Sequence, residues 1–292
     1  MSYIYYVILS VTLYSFASLI RKKVSDHGAH LNYIYTILFQ LLGGVSVFAF
    51  SLMFGFGSEY SGYWSTLEPY FIWKMLLAGV LWFGSTLVTF KALNYISASK
   101  FSVIETLSPI TSMVFAFMLL GESITMLQAG GIVLILMSVF MVTYDRKDKF
   151  TRFSGGELLA VAASMISGLA LVNDKGIYEN LALAPTLVIL FLLPGVIAII
   201  AKPRELKKIT NVLNKESLIY LLSMSTIWGC AAIFYYKAIV VSHSVSLVVS
   251  LGQLSTIITV LLGLVILKEY ENWGVKIAAG ILSFIGLIVI SI

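Results

Sequence analysis

Long apolar runs separated by short polar connections dominate the chain. A helix needs about 20 largely apolar residues to cross the hydrocarbon core of a bilayer. Ten stretches meet that requirement, at 3–20, 31–54, 71–93, 99–119, 125–143, 157–173, 185–201, 217–239, 244–266 and 273–291. The runs are long and unbroken by turn residues, which predicts helices; a membrane barrel would instead show alternating segments of about ten residues. The first run leads from an uncharged Met1-Ser2-Tyr3 straight into Arg21-Lys22-Lys23, the pattern of a retained first span rather than a cleaved signal. The longest polar connections, Gly55–Pro69, Asp145–Ser154 and Lys202–Ser217, leave no room for a soluble domain. The expectation is an all-α integral membrane protein of ten transmembrane helices.

Composition agrees. The 292 residues are 59% hydrophobic and 11% charged, with a mean hydropathy of +0.97, whereas soluble domains carry about 25% charged residues. Too little polar surface remains to coat a water-soluble globule, so the environment is the lipid bilayer. A single cysteine, Cys230, excludes an intrachain disulfide, and His27, His30 and His243 are scattered, so neither metal nor cofactor is expected. No phosphate-binding Gly-Lys motif or nucleophile elbow occurs, which argues against an ATP-driven pump and against any enzyme. The net charge of +5 sits in the connections and needs no nucleic acid to explain it. Sixteen of the 19 lysines and arginines flank odd-numbered connections, Arg21, Lys22 and Lys23 among them; Lys74, Lys175 and Lys237 lie on the other side. The positive-inside rule then places the odd connections in the cytoplasm and both termini outside.

The chain also repeats itself. Under a shift of about 152 residues, Ser15 meets Ser167, Lys23 meets Lys175, Ile37-Leu38-Phe39 meets Ile189-Leu190-Phe191 and Gly43 meets Gly195. A shift of 146 brings Trp82 onto Trp228 and Phe90-Lys91-Ala92-Leu93 onto Tyr236-Lys237-Ala238-Ile239, and one of 147 brings Glu122 onto Glu269. Apolar matches are cheap, but matched Lys, Trp and Glu in one order are not. Each half holds five spans, and an odd number forces the second copy to cross in the reverse sense, the inverted-repeat plan of many secondary transporters.

The run Ala92-Leu93-Asn94-Tyr95-Ile96-Ser97-Ala98-Ser99, followed by Leu107-Ser108-Pro109, Leu120-Gly121-Glu122 and Gln128-Ala129-Gly130-Gly131, resembles the EamA domain of the drug/metabolite transporter (DMT) superfamily. The second copy departs from it: Leu254-Ser255-Thr256 lacks the proline, Lys268-Glu269 replaces Gly-Glu, and Glu271 competes for the place of the second glutamate. The resemblance implies two EamA repeats, 1–145 and 155–292, around a central cavity. It also implies transport, commonly export, of amino acids or other metabolites. Family members usually carry both termini in the cytoplasm, the reverse of what the loop charges indicate.

Glu105 is the most informative single residue. A carboxylate at membrane depth is costly and usually faces a partner or a wet cavity, and Pro109 leaves the Glu105 carbonyl without its helical donor. Glu105 therefore reads as cavity-lining and proton-coupling, or as a shallow group paired with Lys100 or Lys91. Gln253, near its repeat position, reads as substrate-binding or as ordinary interhelical hydrogen bonding. Lys91, Lys175 and Lys237 either attract an anionic solute or snorkel to the headgroups, with Asp174 available as a charge partner for Lys175. Trp82, Trp228 and Tyr235 belong to an aromatic cluster that lines a cavity or packs against lipid. Glu122 and Glu269 read as structural acids at helix N-termini, and the small residues Gly130, Gly131, Ala278, Ala279, Gly280 and Gly286 suit close helix packing within a monomer or across a homodimer.

These readings converge on a secondary carrier of the plasma (inner) membrane, exporting amino acids or related metabolites by alternating access, with proton coupling as one energy source. An anion, sugar-phosphate or nucleotide-sugar exchanger is the alternative that Lys175 and Lys237 would serve. A non-transporting membrane scaffold is the alternative of another class.

Overall fold

The computed structural model describes residues 3–120, 125–143, 154–212, 215–242, 248, 251–252 and 254–291. Helices α1 (Tyr3–Asp26), α2 (Asn32–Met53) and α3 (Pro69–Leu93) are followed by the short pair α4 (Ala98–Glu105) and α5 (Leu107–Leu120), then α6 (Met126–Thr143). Helices α7 (Gly155–Tyr178), α8 (Leu183–Ala201), α9 (Lys215–Ser242), α10 (Leu254–Ile266) and α11 (Trp273–Ser291) complete the order. Among the described residues, nine helical segments are long and apolar enough to cross a membrane, counting Ala98–Met118 as one, and α10 is a shorter apolar helix. Of the expected ninth span, the part before α10 lies mostly outside the described residues.

Two boundaries differ from expectation in ways that matter for the site. The first helix does not stop at residue 20 but continues to Asp26. Arginine and lysine are good helix formers, and Lys22 secures the last turns by bonding Asp26 Oδ1 at 2.7 Å and the Leu93 carbonyl at 2.6 Å. Arg21 is thus a helical residue, 5% exposed, not a loop charge. The fourth span is two helices rather than one. The chain turns at Thr106, whose N–H reaches back to the Val103 carbonyl, and Pro109 cannot donate to the Glu105 carbonyl. The break leaves Glu105 as the last residue of α4.

Helices of the first half pack mainly on helices of the second. The most extensive pairings are α1 with α9, α3 with α7, α2 with α8 and α6 with α11. Exchanging α1 with α7 and α3 with α9 turns the first pairing into the second, so the packing maps onto itself. Helices α6 and α11 cross where Gly131 meets Gly286: a Cβ on Gly131 would stand 2.6 Å from the Gly286 carbonyl oxygen. Only glycine admits that approach.

Candidate functional site

A cavity of two lobes, apolar over most of its wall but carrying a set of polar side chains, lies among these helices. The first, about 290 Å³, is lined by Tyr14 and Ser18 of α1, Ser102 and Glu105 of α4, Thr106, Ser108 and Pro109 at the break, and Ser255, Thr256 and Thr259 of α10. The second, about 260 Å³, is walled by Phe39, Trp82, Tyr178 and Phe191, with Gln40, Ser85, Thr86 and Ser167 between them. Both include Tyr14, Glu105 and Trp228, so the lobes meet at those three side chains.

The charges gather at that junction. Arg21 Nη2 stands 3.9 Å from Glu105 Oε1. Its guanidinium lies over the rings of Phe101 and Trp228, at 5.4 and 5.0 Å, contacts that favour a cation. Its Nε has no hydrogen-bond partner, leaving a donor unspent. The Glu105 side chain is 41% accessible against 6% for Arg21. For a residue bordering both lobes, that open surface faces the cavity. The hydroxyls of Ser102 and Thr106 donate to the carbonyls of Ser99 and Val103, at 3.1 and 2.6 Å. A hydroxyl has one hydrogen, so these two oxygens remain as acceptors on the Glu105 side. In the second lobe Gln40 Nε2 donates to Thr86 Oγ1 at 2.8 Å, and the hydroxyls of Ser85 and Ser167 bond each other at 2.6 Å. Tyr14 and Phe39 meet the Trp228 ring edge-on at 5.1 and 5.4 Å, fixing it at the junction.

The scaffold around α4 is held from outside the cavity. Glu269 accepts hydrogen bonds from the N–H groups of Ala98 and Ser99, at 2.8 and 3.0 Å, and from the Ser99 hydroxyl. It thereby satisfies the free donors of the α4 N-terminus. Lys276 donates to the Glu269 carbonyl at 3.2 Å and stands 4.0 Å from its carboxylate. Lys100, in the same first turn of α4, pairs with Glu157, which also closes a capping box with Ser154 at the start of α7.

Of the residues singled out in the sequence, Glu105 and Trp228 border both lobes and Trp82 the second. Glu105 faces Arg21, not Lys91 or Lys100. Tyr235 packs near Val7 and Leu251, outside the lining. Lys237 reaches the Phe54 carbonyl at 3.4 Å and sits among the rings of Tyr6, Phe54 and Phe56. Lys91 and Lys175 are exposed. Gln253 and Glu122 lie outside the described residues. Asp174 turns to Trp82, whose Nε1 donates to it at 2.7 Å. Sequence reasoning missed Arg21, Tyr14 and Gln40. A signal for the first two existed: Tyr14, Ser18 and Arg21 follow the i, i+4, i+7 spacing of one helix face.

Comparison with known proteins places these observations. Residues 1–144 match the EamA-like transporter family. No curated protein matches the chain. A solved structure, titled only as the crystal structure of a protein, aligns with 97% of this chain and 94% of its own, at a TM-score of 0.62 and 18% identity. At that identity the likeness speaks for the fold alone.

Proposed function

We propose, from the premise that this chain belongs by its residues 1–144 to the EamA-like transporter family of the DMT superfamily and is a membrane transporter, that it exports amino acids or closely related zwitterionic metabolites by alternating access. The observation that carries this reading is the Arg21–Glu105 pair at the junction of the two lobes. A zwitterion offers a carboxylate to the Arg21 guanidinium, which lines the second lobe, and an ammonium group to Glu105 and the acceptor oxygens of Ser102 and Thr106. It exchanges one ion pair for two without leaving a buried charge bare, which is the costly outcome. The aromatic walls of the second lobe suit an apolar or aromatic solute side chain.

The anion-exchanger reading needs several cations converging on one cavity. Among the described residues, Arg21 is the cation in the lining, while Lys175 and Lys237 stand elsewhere, which favours the zwitterion. A two-lobed cavity with polar and charged side chains at its junction likewise favours transport over a scaffold. Residues 1–145 and 155–292 are read as the two repeats, of opposite orientation, whose exchange of conformation opens the cavity to alternate sides. Loop charge favours termini outside the cytoplasm, and moving Arg21 from loop to helix leaves that bias intact; a C-terminal reporter active only in the cytoplasm tests it.

The deciding experiment is a metabolite screen of the medium from cells with and without the protein, repeated with Arg21→Met and Glu105→Gln. Amino acids accumulating outside with the wild type, and with neither variant, support the reading. Phosphorylated solutes alone, or no difference at all, overturn it.

A further inference from the structure

A second acidic side chain within the helical bundle stands behind the cavity wall. Asp174 lies on α7, one turn before the cavity-lining Tyr178, and is 2% exposed. Its Oδ2 accepts the Trp82 indole N–H at 2.7 Å, and its Oδ1 has no hydrogen-bond partner. The amide of the preceding Asn173 donates to the Lys74 carbonyl at 2.9 Å. Trp82 and Tyr178 pack into an apolar cluster with Met75, Ala78 and Ile177.

The ionisable groups nearby come from several elements. Helix α3 brings Lys74, whose ammonium lies 5.0 Å from the centre of the Tyr70 ring. Helix α7 itself brings Lys175 and Tyr178, with Glu179 at its end. The connection before α3 brings Tyr63, hydrogen-bonded to Thr186 of α8 at 2.8 Å. Across the second lobe stand Tyr14, Arg21 and Glu105. Among the described residues, the ion pairs of the protein involve other acids, and none includes Asp174. A buried carboxylate with one bare oxygen and no cation at contact distance is a costly arrangement. A proton on Oδ1 removes the charge and leaves Oδ2 free to keep the Trp82 bond.

We propose that Asp174 is a proton-binding site coupled to the cavity through Trp82. A hydronium ion in the water of the second lobe gives up the proton, its O–H bond breaking as the Oδ1–H bond forms, and the reverse transfer to water restores the carboxylate. With the proton lost, the Trp82 bond becomes charge-assisted and shorter, drawing the indole away from the lobe it walls. Protonation state and cavity shape are then linked through one side chain. The inference stands whatever solute the cavity holds, and it assigns Asp174 a role separate from that of Glu105.

The test is infrared spectroscopy of the full chain in lipid vesicles, with no solute, from mildly acidic to mildly alkaline pH in H2O and D2O. The wild type shows a protonated-carboxyl band that shifts in D2O and shifts again when aspartate is labelled with ¹³C at its side-chain carboxyl. The band is lost in Asp174→Asn, kept in Glu105→Gln, and moved in Trp82→Phe, which lacks the indole donor. A wild-type band indifferent to aspartate labelling overturns the proposal without any variant having to fold. Persistence of the band in Asp174→Asn overturns it as well, and an unmoved band in Trp82→Phe removes the coupling to the cavity.

Discussion

Two glutamates mark the two ends of α4, and their circumstances are opposite. Glu269, reaching in from the connection between α10 and α11, satisfies three donors at the helix start and has Lys276 beside it. Glu105, the last residue of the same helix, has a cation at a like distance, 3.9 Å, but turns an open face to the cavity. A carboxylate with its hydrogen bonds filled fixes geometry. One left under-satisfied and accessible can change partners, and a transported solute requires that of its site. The short helix between them is held firmly at one end and exposed at the other.

The largest effect expected from breaking this contrast falls on transport. Replacing Arg21 with Met leaves Glu105 without its cation; because the Glu105 side chain is 41% accessible, water screens part of the roughly 3–5 kcal/mol cost of breaking a buried pair and about 1.5–3 kcal/mol remains, so transport falls roughly 10-fold or more, measured as the initial rate of solute movement across the membrane. Glu269→Ala strikes the other end. The free N–H groups of α4 lose their cap, at about 1–2 kcal/mol, and Lys276 loses its acid. The melting temperature in detergent drops, while transport per folded molecule stays near the wild-type value. A transport loss out of proportion to the folded fraction would erase the distinction between the two ends. Ser97→Ala removes the side chain that caps Lys100 N at 3.2 Å and costs less, about 0.5–1 kcal/mol, because Glu269 still holds the same turn. The smallest change is Pro109→Ala, which returns an N–H beside the Glu105 carbonyl. Stability shifts within about 0.5 kcal/mol, the range of a substitution that removes no packing. Transport slows as the break between α4 and α5 stiffens.

Much of the fold was legible because the bilayer imposes one length and one polarity on every span. Glu105 was legible for the same reason: an acid inside an apolar run stands out. Arg21 was not, since a cation next to Lys22 and Lys23 has the look of a loop, and only the packing of α1 against α9 shows that it turns inward. The matched lysines misdirected attention. Lys23 with Lys175 and Lys91 with Lys237 preserve a pattern along the chain, yet position in a repeat says where a residue lies on its helix and not what surrounds it. Asp174 was read through its sequence neighbour Lys175, when its hydrogen-bond partner, Trp82, lies on another helix.

The pairing of first-half with second-half helices also sets a timetable for synthesis. Helix α1 packs on α9, which begins at Lys215. At about 5–20 residues per second, α1 waits on the order of 10–40 s in the membrane before its main neighbour exists. Through that interval Ser10 lacks the Ala231 carbonyl that it bonds, and Arg21, with Glu105 and Phe101 already made, still lacks the Trp228 ring. The nascent chain is then a substrate for the insertion and quality-control machinery, and variants that weaken α9 would be seen first as reduced yield of an α1 that is itself unaltered.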